Sequence, residues 1–549
     1  LLPALDMKTF PPPDSELWTL DSGLVSPPSL APGHPFRLLW AMGPPIPTGK
    51  PRLFTLVLLA LLVLPGSAGA VSGNIPLSSP VYEILDFLTA KGYLHTYLSG
   101  TRPITFGEGY RLLEEARESM GGREVLSDRG REAVVRAFTR LEFLILQSLR
   151  GGTGFFPARE IEMGWDYLNG ERSPIPEIKA AQHALVYNNE GIDPDEGGTG
   201  TILLGSEAAL PHFNVRLHSR LSTGEEDRAF IHKGYVKTQI FGLELGAGKE
   251  SLWWGQGRHG GLFLTGNAEP LPMVRLTNPS PARLPFVLKH LGPCRVDFFL
   301  SRLEEDRAVP EPWLAGFRLD FRPLRTLEAG MTMIVMAGGE GRPEVDLGDL
   351  FGIFFGENEE GDEDRSNRLA GFDLRLTLPG WQVYGEFGGE DEAGFFPSKW
   401  AGLAGFYIPS LGPSVDLRVE FADLAWDEET GGAWYDHGAY TDGYTYKGKI
   451  LGHHVGGDGR DLFAEVSFDL GSGSRGRMGV DLEWRGLRNQ EATEEHVQFI
   501  AGYEGAIGSG RGLWRGAVEG SVDFVDNAGY LEGEEKTDYR VGARVWWGI

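Results

Sequence analysis

The sequence predicts a mainly β protein: a large antiparallel transmembrane β-barrel preceded by a small helical bundle. Three observations carry that prediction. An export-type leader precedes a remainder with no apolar run long enough for a spanning helix. From residue 155 to residue 549 the hydrophobic period is two, with ionised groups alternating against large apolar ones. The last stretch, "DYRVGARVWWGI", sets Tyr539, Val541, Ala543, Val545, Trp547 and Ile549 on one face, as a lipid-facing closing strand does.

Taken in order, the first element is an address. Residues 53–64, "LFTLVLLALLVL", are apolar but for Thr55 and fall well short of the roughly twenty residues a spanning helix needs. Lys50 and Arg52 precede them and "PGSAGA" follows, the order of a secretory signal peptide cleaved after Ala70. Residues 1–41 are Pro-rich and aperiodic and stop just before Met42. Residues 1–70 are therefore read as non-mature, with the signal peptide at 42–70.

Residues 71–154 read as helical. In "SPVYEILDFLTAKG", Ser79 suits an N-cap, Pro80 the first turn and Gly92 the stop, while Val81, Ile84, Leu85 and Leu88 share a face. Thr105 and Glu108 have capping-box spacing for a second helix carrying Tyr110 and Leu113. A third begins near Ser127 with Val134, Phe138, Leu141 and Ile145.

Residues 155–549 read as strands. "AGFDLRLTLPG" alternates Phe372, Leu374 and Leu376 with Asp373, Arg375 and Thr377. "SVDLRVEFADLAW" and "MGVDLEWRG" repeat the pattern with Asp416, Arg418, Glu420 and with Asp481, Glu483, Arg485. A soluble sandwich also alternates. An exported chain with no spanning helix, however, crosses a membrane only as a closed barrel, because an open edge leaves backbone groups unpaired in lipid. About 400 residues at about twenty per strand and loop give roughly 16 to 20 strands. The 78 glycines, about twice the usual share, supply the turns. The acidic runs at 355–367 and 526–538 read as solvated loops without EF-hand ligand spacing.

Composition excludes several functions. A net charge of −26 with no Lys/Arg-dense run argues against nucleic-acid binding. The lone Cys294, entering a strand in "HLGPCRVDFF", reads as a packed thiol and rules out an intrachain disulfide or a cysteine metal cluster. No nucleophile elbow, zincin, Walker or dinucleotide motif is present, so no catalytic residue, cofactor or metal ligand is assigned. His453 and His454, taken as strand neighbours, point to opposite faces and share no metal. Glu386, Glu390, Asp391 and Glu392 cluster in "GEFGGEDE", the one candidate for a glycosidase carboxylate pair.

Sugar binding needs aromatic faces beside carboxylates and amides. "AWYDHGAYTDGYTYKGK" provides Trp434, Tyr435, Tyr440, Tyr444 and Tyr446 beside Asp436, His437 and Asp442. The alternative for these rings is an aromatic girdle at the membrane interface. Trp253 and Trp254 stand on opposite sides if their segment is a barrel strand, one indole toward lipid or the interface and one toward the lumen. The glycines at 255, 257, 260 and 261 instead suit an inward fold or tight turn, with Arg258 and His259 inside or at the mouth, and Trp254 is a further glycan candidate.

Trp253, Trp254 and Gly255, followed by Asn267, Ala268, Glu269 and Pro270, resemble the WWG segment and Asn-Ala-x-Pro motif of the bacterial capsule assembly Wzi family. That family more often has a basic residue where Glu269 stands. "LSRLEEDRAVP", with Glu304, Glu305, Asp306 and Arg307, the Tyr/Gly-rich stretch 434–462 with its Gly-His pair, and "PLSSPVYEILDFLTAKGYL" are similar to further family segments. The resemblance covers most of the mature chain in patches that keep their order. It implies a monomeric outer-membrane barrel of about eighteen strands, plugged, with its helices at the periplasmic mouth. It also implies contact with outer-membrane lipid and lipopolysaccharide, and non-catalytic, lectin-like binding of capsular or related surface polysaccharide. The alternatives are a porin or glycan-export channel, whose lumen conducts, and an outer-membrane hydrolase using Glu386 or Glu390.

Overall fold

A computed structural model describes residues 71–121, 128–224, 228–346, 348–349, 352, 366–393, 396–412, 414–426, 434–471, 473–488, 490–507 and 514–548. The leader at 42–70, the segment before it and most of the acidic run 355–367 lie outside the described residues.

Among the described residues three helices come first: α1 Val81–Ala90, α2 Phe106–Gly121 and α3 Asp128–Leu149. Their starts follow from local chemistry. Ser79 Oγ accepts the Val81 N–H at 3.3 Å, Thr105 Oγ1 accepts the Glu108 N–H at 3.0 Å, and Gly92 takes φ 74° after α1. Glu108 does not reach back to complete a capping box, because its carboxylate pairs with Arg111 at 2.6 Å. Leu85, Leu88, Leu112, Leu113, Leu141 and Ile145 form the bundle core. No described helix is long and apolar enough to cross a membrane.

Eighteen long strands follow among the described residues. They are β1 Gly154–Asn169, β2 Gly197–Ala209, β3 Phe213–Thr223, β4 Arg228–Ile240, β5 Leu243–Glu250 and β6 Leu271–Thr277. Next come β7 Pro293–Arg302, β8 Trp313–Leu324, β9 Leu327–Ala337, β10 Ser366–Leu378, β11 Trp381–Ala393 and β12 Phe396–Gly412. The series ends with β13 Val415–Asp423, β14 Gly459–Gly471, β15 Ser474–Arg485, β16 Glu494–Ala506, β17 Trp514–Asp526 and β18 Glu535–Trp547. Each pairs antiparallel with its neighbour, and β18 returns to β1 with Ile161 opposite Trp547 and Asn169 opposite Tyr539. The expected closing strand thus closes the barrel, and among the described residues the barrel sheet has no open edge.

The alternation runs inside out relative to a soluble protein. Phe372, Leu374 and Leu376 of β10 are 50%, 45% and 39% exposed, while Asp373 and Arg375 between them are buried. Trp165, Tyr167, Phe421, Phe499, Phe524, Tyr539 and Val541 likewise face outward. An apolar belt outside a charged interior is the surface of a membrane barrel. The stretch 526–538 is less loop than expected, since Asp526 ends β17 and Glu535–Asp538 begin β18.

The two ends differ. Short turns such as 325–326, 379–380 and 241–242 lie at the end where β1 begins, with the helices. Most of the long connections lie at the other, 278–292 being an exception. Three of these, 170–196, 251–270 and the described part of 424–458, fold into the lumen with α1 and the chain after it. Cys294 is buried against Leu243, Leu284 and Val296 as a packed thiol.

Candidate functional site

The stretch 251–270 is no barrel strand. Trp253 and Trp254 make a two-residue bridge to Arg102 and Thr101 inside the lumen, and the chain then turns back so that the Trp254 N–H meets Leu264 O at 2.9 Å. Both indoles are buried, so neither faces lipid. The opposite-sides arrangement required a barrel strand, and the segment makes an inward fold instead. Trp254 donates to Asp297 Oδ2 at 3.2 Å and packs on Phe299, while the Arg102 guanidinium lies over the rings of Trp253 and Tyr82.

Wall carboxylates grip this loop through its backbone. Glu386 accepts N–H groups from Gly257 at 2.8 Å and Leu262 at 2.9 Å. Glu420 accepts those of Arg258 and His259, both at 2.9 Å. Glu328 does the same for Ser99 and Gly100 at 2.7 and 3.0 Å, and Glu390 for Tyr435 at 2.6 Å. Gly255, at φ 135°, is needed here: a Cβ would strike the Glu386 carboxylate. The two strongest hydrolase candidates, Glu386 and Glu390, are thus occupied as acceptors for the plug, and Glu390 also takes the Asn367 amide at 2.8 Å.

The plug halves meet at Asp86 of α1 and Arg258. Arg258 Nε and Nη2 donate to the two Asp86 oxygens at 2.6 and 2.8 Å, a bidentate pair joining the helical end to the long-loop end.

The aromatic stretch also goes inward. Trp434, Tyr435, Tyr440, Tyr444 and Tyr446 are all at most 4% exposed and share one hydrophobic cluster with Phe263 and Leu262. Tyr435 donates to Leu262 O at 2.7 Å, Tyr444 to Phe263 O at 2.8 Å and Tyr440 to Gly338 O at 3.1 Å. His437 is buried beside Tyr440, Asp442 is buried, and Asp436 is half-buried with its carbonyl taking Lys399 Nζ. By composition these rings suit a sugar platform or an interface girdle. The structure instead packs them on one another as the core of the plug, with no ring face left for solvent.

His453 and His454 are corrected too. They lie in a turn rather than a strand, with rings stacked at 4.6 Å, and His454 points its Nε2 toward His259, Asp461 and Asp481.

Between the plug and the wall formed by β12–β18 and β1–β4 lies a cavity of about 440 Å³. Guanidinium groups and carboxylates line it in near-equal number, many already paired: Arg540 with Asp166 at 2.6 Å, Arg475 with Asp416 at 3.2 Å, and Arg477 with Glu519. Arg220 Nε and two nitrogens of Arg102 have no hydrogen-bond partner. Glu190, on the cavity rim, is buried, which raises a carboxyl; adjacent Lys233 and His232 overcome this and hold it well below the usual range. Groups of this kind suit a hydroxyl-rich or anionic ligand. The period of two on the strands predicts a charged interior, and nothing local in the sequence marks Arg220 or Arg102.

The family signature "Capsule assembly protein Wzi" matches residues 170–507, well over half of the chain. The chain belongs to that family. An uncharacterized 55.8 kDa protein in the cps region of Klebsiella pneumoniae is 28% identical over 358 residues, which are 64% of this chain and 64% of that protein. The chain therefore spans a little under two thirds of that relative's length. The solved structure of Wzi, an outer membrane protein involved in group 1 capsule assembly in Escherichia coli and described as a carbohydrate-binding β-barrel, superposes with TM-score 0.66 at 20% identity, covering 87% of this chain and all of that one. OccK5 of Pseudomonas aeruginosa superposes with TM-score 0.41 at 11% identity, over 71% of this chain and 97% of that one.

The remaining Wzi-type residues have structural places. Asn267 donates to Gln182 Oε1 and Ile450 O, both at 3.1 Å, so one amide ties three inward segments. Ala268 and Pro270 are buried beside it. Glu269 stands between Lys249 at 3.0 Å and Lys447 at 2.9 Å; burial raises its carboxyl, but the two lysines hold it below the ordinary range. Its negative charge is matched by these partners. Arg307 is buried and donates to the carbonyls of Thr445 and Gly443 at 3.1 Å, whereas Glu305 and Asp306 are exposed.

Proposed function

We propose that this Wzi-family barrel sits in the bacterial outer membrane as a monomer, helices toward the periplasm, and binds capsular or related surface polysaccharide to help attach or assemble it, without a catalytic step. The observation that carries this reading is the family match over 170–507, on a barrel whose outer belt is apolar and whose lumen is filled by its own chain. Outer-membrane lipid and lipopolysaccharide meet the belt, and a cleaved signal peptide delivers the chain. The resemblance to a carbohydrate-binding barrel supports a glycan ligand, and the cavity's mixed guanidinium and carboxylate lining, with unpartnered nitrogens on Arg102 and Arg220, supports one rich in hydroxyls.

Deleting the gene in the native capsulated strain tests the proposal. The expected result is polymer released into the medium in place of a cell-attached layer, restored by the intact gene. Unchanged attachment of a capsule still being made refutes it. A planar bilayer separates the channel alternative: inward segments filling the lumen predict silence, and large steady conductance steps favour a channel.

A further inference from the structure

Two inward loops and two wall strands bring four donor atoms to one buried point. His259 comes from 251–270, His454 from 424–458, Asp461 from β14 and Asp481 from β15, and all four side chains are at most 3% exposed. Their ligand atoms all lie within 4.8 Å of one another. His259 Nε2 is 2.9 Å from Asp481 Oδ2 and 3.3 Å from Asp461 Oδ2, and His454 Nε2 is 3.1 Å from Asp461 Oδ2. At these separations all four atoms still lack a hydrogen-bond partner of acceptable geometry. Atoms that converge without directing hydrogens at one another are disposed as the corners of a shared coordination sphere. Four ligands bonded to a zinc ion at about 2.0–2.1 Å in a tetrahedron stand roughly 3.3–3.4 Å apart.

The surroundings fix the donors. The Phe463 ring lies flat on His259 at 3.8 Å and 3°, Tyr187 stacks on His454 at 4.3 Å and 14°, and Glu420 holds the His259 backbone N–H. Glu483 stands 3.4 Å from His454 Nε2, but its other oxygen is committed to Arg485, so it forms the edge of the site. Two neutral imidazoles, two carboxylates and one dication sum to zero charge, which offsets the cost of burying two acids side by side. Imidazole with carboxylate suits borderline divalent ions of the zinc class; Ca²⁺ and Mg²⁺ prefer oxygen alone.

We propose that His259, His454, Asp461 and Asp481 bind one divalent transition ion of the zinc class, which staples the two inward loops to the barrel wall. The ion joins β14 and β15 to loops separated from each other by almost 200 residues of chain. Since His259 and Phe463 also line the lumen cavity, the staple fixes one wall of that cavity.

The test uses the full-length protein carrying an affinity tag other than polyhistidine, extracted in detergent, stripped with a chelator, loaded with Zn²⁺ and dialysed. Elemental analysis is expected to find a single equivalent retained. Cobalt titration of the stripped protein is expected to give the intense visible bands of a four-coordinate site, reaching an end point at one equivalent. His454→Gln and the nearly isosteric Asp481→Asn should each lose the retained ion while the barrel keeps its heat-modifiable gel migration. Chelation should lower the Tm of the wild type and leave that of His454→Gln unmoved. A folded wild type that takes up neither zinc nor cobalt overturns the proposal and leaves the cluster as imidazolium–carboxylate pairs. Retention undiminished in both variants overturns it as well.

Discussion

The Asp86–Arg258 pair is the point at which the plug is most open to perturbation, and its removal has a calculable effect. Asp86→Asn keeps the shape of the side chain and deletes the charge. Arg258 then loses both charge-assisted bonds, at 2.6 and 2.8 Å, and Arg418 loses the carboxylate 3.6 Å away. The two partners are 1% and 9% exposed at their side chains, so water does not replace what is lost. Breaking a buried pair from one side costs about 3–5 kcal/mol. That corresponds to roughly a hundred- to several-thousand-fold change in a local opening equilibrium, at about 1.4 kcal/mol per factor of ten. The strands are joined to one another independently of this contact, so the effect should appear in the plug. Native-state hydrogen exchange by mass spectrometry reads it directly: the amides of Gly255, Gly257, Arg258, His259 and Leu262, protected by Gly100, Glu386 and Glu420, should exchange faster by that factor. Amides of β16 and β17 should not. The double variant Asp86→Leu with Arg258→Met, which removes both charges, should recover much of the protection. Equal acceleration in β16–β17, or additive effects of the two single replacements, refutes the idea of a clasp.

Other outcomes follow from the same geometry. Glu386→Gln puts an N–H donor against one of the two backbone donors it now accepts, so it should cost about 1–3 kcal/mol of loop stability by thermal melting, with glycan size unchanged on chromatography. Arg220→Ala removes a guanidinium whose Nε is unpartnered; retention of purified capsular polysaccharide by the immobilised barrel should fall severalfold while the melting curve holds. Burial, aided by Lys536 and Arg485, pushes His183 down to about 3. Its folded pKa lies below the unfolded value, so its effect on stability is absent above pH about 6.5 and grows as pH falls toward 3. At pH 5 the loss is about 2 kcal/mol, and His183→Gln should flatten the dependence of Tm on pH between about 7 and 5.

Much of this architecture can be read along the chain because its causes are local. Helix starts depend on Ser79 and Thr105, neighbours of the amides they cap. The strands announce themselves because lipid outside and charge inside must alternate residue by residue, as Phe372, Asp373, Leu374 and Arg375 do. The plug is not local. Gly257 meets Glu386 across 129 residues, and Arg258 meets Asp86 across 172. A run of Trp and Tyr has the same composition whether it stacks on sugar, sits at an interface or fills a lumen, and only its partners distinguish these. His453 and His454 were misread for a related reason: opposite facing holds only for strands, and their segment is a turn. The glycines of "WWGQGRHGG" were the better clue, since dense glycine beside bulky rings marks close backbone approach.

The wall carboxylates explain how a lumen can be charged and yet filled. Lipid dictates that apolar residues point outward, so the period of two forces the intervening positions inward, and these carry Asp373, Glu328, Glu386, Glu390 and Glu420. An apolar plug against that wall would take acceptor bonds from these carboxylates, and from Glu386 both of those it makes to Gly257 and Leu262. A plug of charged side chains would lose conformational entropy and require matched pairs throughout. Backbone amides avoid both costs, because they are donors with no side chain to immobilise. Ser99, Gly100, Gly257, Arg258, His259, Leu262 and Tyr435 all give their N–H groups to wall glutamates. Irregular segments with many free amides are therefore the right material for filling this barrel, and a glycine-rich loop is better still because its backbone reaches the wall. The same chemistry sets the aromatic rings of 434–446 in the dry middle of the plug, where their hydroxyls cap the carbonyls that the amides leave behind.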